Sequence, residues 1–369
     1  MNKLKILFDY SPAYKLHKTG IPIFVENLFQ ELQLIKSIQI DKTYDVSKII
    51  PRKPHKLFRF FEQFLYHNLY IPCKLYWGEY DIYIESQYIF NPIFKPRHTL
   101  IVNMVYDIAL ILYDDLQTKK HTINFRQKLA KSIKNSDYII TLSQSSQKDI
   151  KHYIENTLDL NRPIDYIYAD TTKIVEKNQN YSHVLKKFKI QQDYFLFLGT
   201  LEPRKNPFIL IKAFHLFKKE TLLPIQLVFA GKKGWLYTHV LEYISKNNLE
   251  DSVIFTNYIS EEEKQILLNH TKAFLFLSRY EGFGIPPLEA LKLGVPTLLS
   301  DIPVFHELFL DNVYYANTND IKDISQKMED ILIHPIQINT NLFEKFSWKI
   351  SANKLVKILY THLNKKKKK

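Results

Sequence analysis

The sequence predicts an α/β protein of two domains, each a mostly parallel sheet wound with helices on both faces. Three observations carry this. A chain of 369 residues is too long for one ordinary core and divides naturally into two. Its C-terminal half alternates short apolar runs with helical patterns, with little irregular sequence between them. The N-terminal half opens in the same rhythm, with an apolar strand at Lys5-Ile6-Leu7-Phe8, a loop through Gly20 and then a helical pattern.

In the first half, the helix is expected over Ile21 to Leu34, where Phe24, Leu28, Leu32 and Ile35 keep helical spacing. Later strands are expected at Asp81 to Ile84, Leu100 to Val105, Tyr138 to Leu142 and Ile164 to Tyr168. A polar, lysine-rich stretch between Asp170 and Gln192 reads as the link. The second half should hold strands at Tyr194 to Leu198, Ile225 to Ala230, Ser252 to Thr256, Ala273 to Leu277, Thr297 to Ser300 and Val313 to Ala316. Ser260-Glu261-Glu262-Glu263 is a capping box that starts one of the helices between them.

Composition narrows the class. Hydrophobic residues at 46% and charged residues at 24% fit a soluble globular protein. No apolar run approaches the roughly 18 residues of a membrane span, and the Leu4 to Phe8 run is too short for a secretory core. A cytoplasmic location is therefore expected. Cys73 is the lone cysteine, which leaves no intrachain disulfide and no cysteine-based metal cluster. The net charge is +13, from 51 Lys plus Arg against 38 Asp plus Glu, and Lys365 to Lys369 supply five of those charges. Such a tail is expected to be disordered. The same charge suits a nucleic-acid-binding protein, but no recognised binding motif accompanies it.

Two turns carry the chemistry. Tyr280-Glu281-Gly282-Phe283-Gly284-Ile285-Pro286-Pro287-Leu288-Glu289 sets two carboxylates eight positions apart around a glycine loop. Proline tolerates the first helical positions, so a helix should begin near Pro286 or Pro287 and stop at Gly294. N–H groups around Gly284, Ile285 and Leu288, with the positive end of the helix dipole, would favour a diphosphate outside that turn. Glu281 can then accept from sugar hydroxyls and Glu289 can reach a ribose diol. The same residues also describe a plain surface helix with an acidic first turn. The second turn is Gly199-Thr200-Leu201-Glu202-Pro203-Arg204-Lys205-Asn206-Pro207, where Asn206 is the expected N-cap and Pro207 the first helical residue. Arg204 offers a planar fork and Lys205 a compact charge, a pair suited to pyrophosphate, although a solvated basic loop would read alike. Both turns follow apolar strands, and in such sheets ligands gather at the carboxyl ends of strands.

At these residues the chain resembles the retaining glycosyltransferases of family 4, which have the GT-B architecture. The resemblance rests on residues 199 to 206, on the Glu-x7-Glu signature from Glu281 to Glu289, and on Gly294-Val295-Pro296 with Ser300 and Glu307. Phe346-Ser347-Trp348 and Ser136 to Ser143 match more weakly. The resemblance implies two Rossmann-like domains facing each other across a cleft. It implies an acceptor-binding domain over 1–178, a donor-binding domain over 179–345, a helix over 346–363 returning to the first domain, and a loose lysine tail at 364–369. Arg204 and Lys205 would contact the donor diphosphate, Glu281 would hold the sugar and Glu289 the ribose. Gly199, Gly282, Phe283, Gly284 and Ile285 would line the donor, and Gly20 would meet it from the first domain.

Two positions depart from the family pattern. Tyr106-Asp107 stands where many relatives end a strand with His-Asp, and tyrosine is not protonated near neutral pH. Asp107 could orient an acceptor hydroxyl or accept its proton, or simply cap a loop. Asn257 replaces a glycine before Tyr258, the expected nucleobase contact. Transfer breaks a glycosyl–phosphate bond, so Arg204, Lys205 and two helix N-termini would stabilise the departing diphosphate. Neither an Asp-x-Asp pair nor a His/Cys cluster with ligand spacing occurs, and metal-independent transfer without a cofactor is expected. Retention of configuration is implied by the resemblance. The donor is a nucleotide diphosphate sugar, and the forms of the two turns look most like mannosyltransferases, favouring GDP-mannose. A sugar phosphorylase or nucleotide-sugar epimerase of the same fold is the alternative. Leu57, Phe61, Phe64, Leu65 and Leu69 fall on one helical stripe near Lys53, Lys56 and Arg59, which suits either a packed helix or contact with an anionic membrane carrying a lipid-linked glycan acceptor.

Overall fold

The computed structural model describes residues 3–14, 20–43, 65–77, 80–88, 92, 98–172, 181–232, 234 and 238–367. The chain divides into two compact units, Met1–Asp170 with Lys345–Lys369, and Thr171–Glu344. The first unit holds β1 (Leu4–Phe8), β2 (Ile38–Lys42), β3 (Ile82–Glu85), β4 (Leu100–Met104), β5 (Tyr138–Thr141) and β6 (Ile164–Tyr166). They form one parallel sheet in the order β2-β1-β3-β4-β5-β6. Strands β3, β4 and β5 are buried along their whole length, which is why they read as largely apolar runs despite Glu85, Asn103 and Thr141. Strand β2 escaped the sequence reading because it is an edge strand with one neighbour, and only Ile38 of its five residues is buried.

The helix Trp348–Lys367 belongs to this unit. It buries Ala352, Leu355, Leu359 and Leu363, its Trp348 ring lies 5.4 Å from Phe24, and Ser351 Oγ donates to Tyr168 O at 2.5 Å. The lysine tail expected to be loose is instead helical through Lys367. Lys366 Nζ meets Asp137 Oδ2 at 2.6 Å and Thr99 O at 2.7 Å, and Lys367 Nζ meets Asp81 Oδ1 at 3.2 Å. Carboxylates placed just ahead of β3 and β5 neutralise the charge run, and cations are favoured at a helix C-terminus in any case.

Most of the aromatic and basic stripe expected near residue 60 lies outside the described residues. From Leu65 onward, a π turn over Tyr66–Tyr70 runs into an α-helix over Ile71–Tyr76. Ile71 and Leu75 are buried, whereas Leu65, Leu69, Tyr70, Tyr76 and Trp77 are exposed. The stripe thus does not pack through Leu65 and Leu69. A π turn holds one extra residue, which rotates the apolar face by about 100°. Among the described residues no helix is long and apolar enough to cross a membrane.

The second unit holds β7 (Asp193–Leu198), β8 (Ile225–Ala230), β9 (Val253–Asn257), β10 (Ala273–Phe276), β11 (Thr297–Ser300) and β12 (Tyr314–Ala316). Its parallel order is β12-β11-β10-β7-β8-β9. Phenylalanines fill the core: Phe197 lies 5.2 Å from Phe229 and 5.8 Å from Phe276, and all three are inaccessible to solvent. Each such burial contributes about 1.5–3 kcal/mol. The order reverses between β7 and β10, and the crevice at such a reversal is where doubly wound sheets bind ligands. The two turns singled out from sequence leave these two strands.

Candidate functional site

The chain leaves β7 at Gly199, whose φ of +142° suits glycine. A Cβ there would lie 3.1 Å from Lys205 Cδ and Cε, so the missing side chain makes room for the lysine stem. Beyond β8, Gly231 has φ +151°, and a Cβ on it would sit 2.1 Å from Gly199 O. Two backbones therefore touch beneath the first turn. Pro203–Lys205 form a 3-10 turn and the helix Pro207–Thr221 follows at once. Asn206 occupies the expected position but its side chain caps nothing. It also closes the 3-10 turn with a left-handed backbone at φ +57°, and a side-chain cap requires an extended one.

The second turn leaves β10. Its helix spans Ile285–Lys292, starts one residue before the prolines and ends ahead of Gly294, whose φ is +75°. Gly284 precedes it at φ +129°, packed against Phe305, where a Cβ would come within 2.9 Å. Pro286 and Pro287 carry no N–H, and the Leu288 N–H donates to Gly284 O at 3.2 Å. Leu288 is thus not one of the open donors expected from sequence. In this first turn the Ile285 N–H has no intrahelical acceptor.

Direct bonds join the two turns. Arg279 N–H donates to Arg204 O at 2.8 Å, and Arg204 Nη1 donates to Tyr280 O at 3.1 Å. Glu281 lies between the cations: Arg204 Nη1 is 2.7 Å from Oε2 and Lys205 Nζ is 3.3 Å from Oε1. Ser278 Oγ also donates to Oε1 at 2.9 Å, while Ser300 Oγ fixes Ser278 through its carbonyl at 2.6 Å. The far side of Arg204 is held by Glu202, 2.9 Å from Nη2 and 3.1 Å from Nε. Lys205 Nζ stands 4.3 Å over the Phe276 ring. Burial raises the Glu281 pKa, but Arg204 and Lys205 outweigh it and hold the carboxyl below its usual range. Burial lowers Lys205, and Glu281 recovers only part of that loss.

Glu289 has a different setting. It is 3% exposed, and Lys264 Nζ lies 2.6 Å from its Oε1. Thr172 Oγ1 donates to the same oxygen at 3.5 Å. Here burial prevails over Lys264 and the Glu289 pKa is raised, whereas Glu289 and Glu261 together raise Lys264 against its own burial. Two carboxylates eight positions apart are therefore tuned in opposite directions.

Comparison with known proteins identifies the domain that carries these turns. A model described as glycosyl transferases group 1 matches residues 180–345. The chain is a glycosyltransferase whose residues 180–345 form a glycosyl transferases group 1 domain. It is 26% identical to the O-antigen chain mannosyltransferase B of Escherichia coli, over 94% of this chain and 96% of that one. It is 31% identical to the serotype-specific mannosyltransferase WbdA of Escherichia coli over 57% of this chain, which spans 26% of that relative. Among solved structures, sucrose-phosphate synthase from Thermosynechococcus elongatus superposes with a TM-score of 0.74 at 15% identity, covering 98% of this chain and 99% of that one. Anabaena HepE, solved with UDP and glucose, gives 0.68 at 14% identity, covering 97% of this chain and all of that one. The two Rossmann-like units are those of the GT-B class.

The other residues singled out from sequence have local settings of their own. Phe283 is buried, and Gly282 and Gly284 with it. Tyr258 is 49% exposed, with Lys232 Nζ 5.4 Å from its ring. Asn257 before it takes φ +60°, a conformation asparagine tolerates better than most residues, which explains its presence where a glycine was expected. In the first unit Gly20 begins the helix Gly20–Gln33, and no atom lies within 4 Å of a Cβ built on it. Asp107 Oδ1 accepts the Ala109 N–H at 3.1 Å, the local capping role weighed against catalysis. Tyr106 is buried, and burial raises its pKa well above the usual phenol value. Four residues at the site were given no role from sequence. Ser278, Glu202, Gly231 and Lys264 act through partners distant along the chain or through backbone contact, though Ser278 stands three residues before Glu281 and was open to notice.

Proposed function

We propose that this glycosyltransferase moves mannose from GDP-mannose to a glycan acceptor in surface polysaccharide synthesis, with retention of configuration. The observation that carries the donor reading is the interlocked set Arg204, Lys205 and Glu281, joined across two strand ends at the reversal of a doubly wound sheet. Similarity along nearly the whole length to the O-antigen chain mannosyltransferase B of Escherichia coli supports mannose.

The roles follow from unspent hydrogen-bonding capacity. Lys205 has three N–H groups and uses one on Glu281, leaving two for phosphate oxygens. With Arg204 and the Ile285 N–H, it would hold the diphosphate and stabilise the charge that grows on it as the glycosyl bond breaks. Glu281 Oε2 has one charged partner, Arg204, and retains a lone pair for a sugar hydroxyl. Glu289 would accept from the ribose diol and Tyr258 would flank the base. Arg204, Lys205, Glu202 and Glu281 sum to zero formal charge, so the cations are fixed in place before the donor arrives and need no reorganisation. Asp107 is the acceptor-side carboxylate in this reading.

The acceptor reading includes peripheral contact with an anionic membrane, favoured by Tyr70, Tyr76 and Trp77 standing exposed around Lys74. Vesicle sedimentation at low and high salt tests it, and absence of binding at low salt would remove it. For the donor, thermal shift across GDP, UDP, ADP and their sugars should single out the GDP series. Radiolabelled GDP-mannose should then yield labelled glycan only with acceptor. Stabilisation by none of the nucleotides would overturn the donor reading, and conversion of the nucleotide sugar without acceptor would replace transfer by isomerisation.

A further inference from the structure

Lys264 is not part of either turn, yet it makes an ion pair with the second carboxylate of the site. It lies on the helix Glu261–His270, whose start is locked by a complete capping box: Ser260 N donates to Glu263 Oε2 at 2.7 Å and Glu263 N to Ser260 Oγ at 3.1 Å. Lys264 is the next residue, so its backbone is held by that box. Its Nζ bridges Glu261 Oε1 at 2.8 Å and Glu289 Oε1 at 2.6 Å, with the lysine side chain 15% exposed.

Every described polar contact to Glu289 ends on Oε1, whether from Lys264 or from Thr172. Oε2 receives none, in contrast to Glu281, where both oxygens are engaged. We infer that Lys264 is a positioning residue for nucleoside recognition: it pins one oxygen of Glu289 and leaves Oε2 to accept from a cis-diol. This rests on the reading of Glu289 as the ribose-facing group.

The physical need for Lys264 comes from burial. A carboxyl this deeply buried tends toward its neutral form, which carries a proton on one oxygen and binds a diol with uncharged hydrogen bonds at most. The charged groups that bear on Glu289 are Lys264 and Glu261, which oppose each other in sign. Removing Lys264 leaves only the repulsive one. Glu289 then takes up a proton at a higher pH than before, and recognition of the diol becomes pH-dependent. A pair that served packing alone would alter stability without this signature.

Calorimetry with the full chain tests the inference, using GDP, UDP and ADP, each beside its 2′-deoxy counterpart, from about pH 6 to about pH 9. Wild type should prefer the ribonucleotide it holds best by about ten- to a hundredfold throughout. Lys264→Met should lose about tenfold or more of that preference at the acid end and regain it as the pH rises, with the 2′-deoxy form little affected. Lys264→Arg should behave as wild type. Should the Met variant fail to fold, Lys264→Gln, which keeps a donor and loses the charge, is read in its place. A folded uncharged variant with undiminished preference at every pH overturns the inference. So does wild type binding both sugars alike, which leaves the donor site standing. Wild type binding no nucleotide overturns the donor reading and this inference with it.

Discussion

Replacing Glu281 by Gln keeps the shape of the side chain and removes its charge from between two cations. Arg204 and Lys205 stand 2.7 and 3.3 Å from its oxygens, and at an effective dielectric of about 20 these separations correspond to attractions of about 6 and about 5 kcal/mol. Desolvation of three groups offsets most of this, and loss of one partner from a buried pair leaves a net destabilisation of about 3–5 kcal/mol. The field that keeps Lys205 protonated disappears with it. Burial already lowers Lys205, so in the variant it sheds its proton at a lower pH, and affinity for a nucleoside diphosphate should weaken as the pH rises. Stability shows the complementary sign. The folded pKa of Glu281 lies below its unfolded value, so its contribution is complete above the unfolded pKa and is lost as pH falls through the folded one. Glu281→Gln should lack that portion of the acid loss. Thermal unfolding across pH, calorimetry with GDP and GDP-mannose, and labelled transfer form the assay, with transfer expected to fall about 10²- to 10³-fold. Wild-type turnover in a variant that binds GDP equally at acid and alkaline pH would refute the reasoning.

Glu202→Gln keeps an acceptor for Arg204 and removes one negative charge from a cluster that sums to zero, so GDP should bind about three- to tenfold tighter by calorimetry. Asp107→Asn retains a carbonyl oxygen for the Ala109 N–H; transfer should fall about 10²-fold with donor affinity unchanged, and an unchanged turnover number would leave Asp107 as a cap. Gly231→Ala forces a Cβ to within 2.1 Å of Gly199 O at a φ of +151°, and urea titration should find it destabilised by about 3 kcal/mol or more. Truncation after Asn364 removes the Lys366 and Lys367 pairs with Asp137 and Asp81 and should cost about 1–3 kcal/mol in the same titration, whereas a loose tail would cost nothing.

The strands of both units were legible wherever burial on two faces made them continuous apolar runs. Tyr194 to Leu198 and Ile225 to Ala230 are instances, and the structure extends or trims them by a residue at most. Edge strand β2 was not legible, because one solvated face dilutes the pattern to two isoleucines. The two turns were legible because proline and glycine mark helix starts in a way that depends on local backbone alone. What sits around them was not. Lys264 reads as an ordinary helical lysine until β9 and β10 bring its helix beside Glu289, and Glu202 reads as a loop acid until Arg204 folds back over it. The lysine tail misled for the same reason: three aspartate-and-carbonyl partners for it lie 229 to 286 residues away in sequence.

The eight-residue spacing of the two glutamates has a geometric cause. Glu281 stands four residues before Ile285, in the loop, and Glu289 stands four residues after it, inside the helix. At 1.5 Å per residue, the Glu289 backbone lies about 6 Å along the axis from the helix start, and about 40° round from Ile285. One carboxylate is thereby anchored to the loop and the other to the helix flank, with the N-terminus between their attachment points. The environments then divide their chemistry. Two cations meet Glu281 and keep it charged against its burial, while a single lysine, itself shared with Glu261, meets Glu289 and leaves it closer to neutrality. Moving Glu289 by one position would rotate it by about 100° away from Lys264 and bury a charge with no partner. The spacing is therefore constrained from the helix side by Lys264 and from the loop side by Arg204 and Lys205, independently of any ligand.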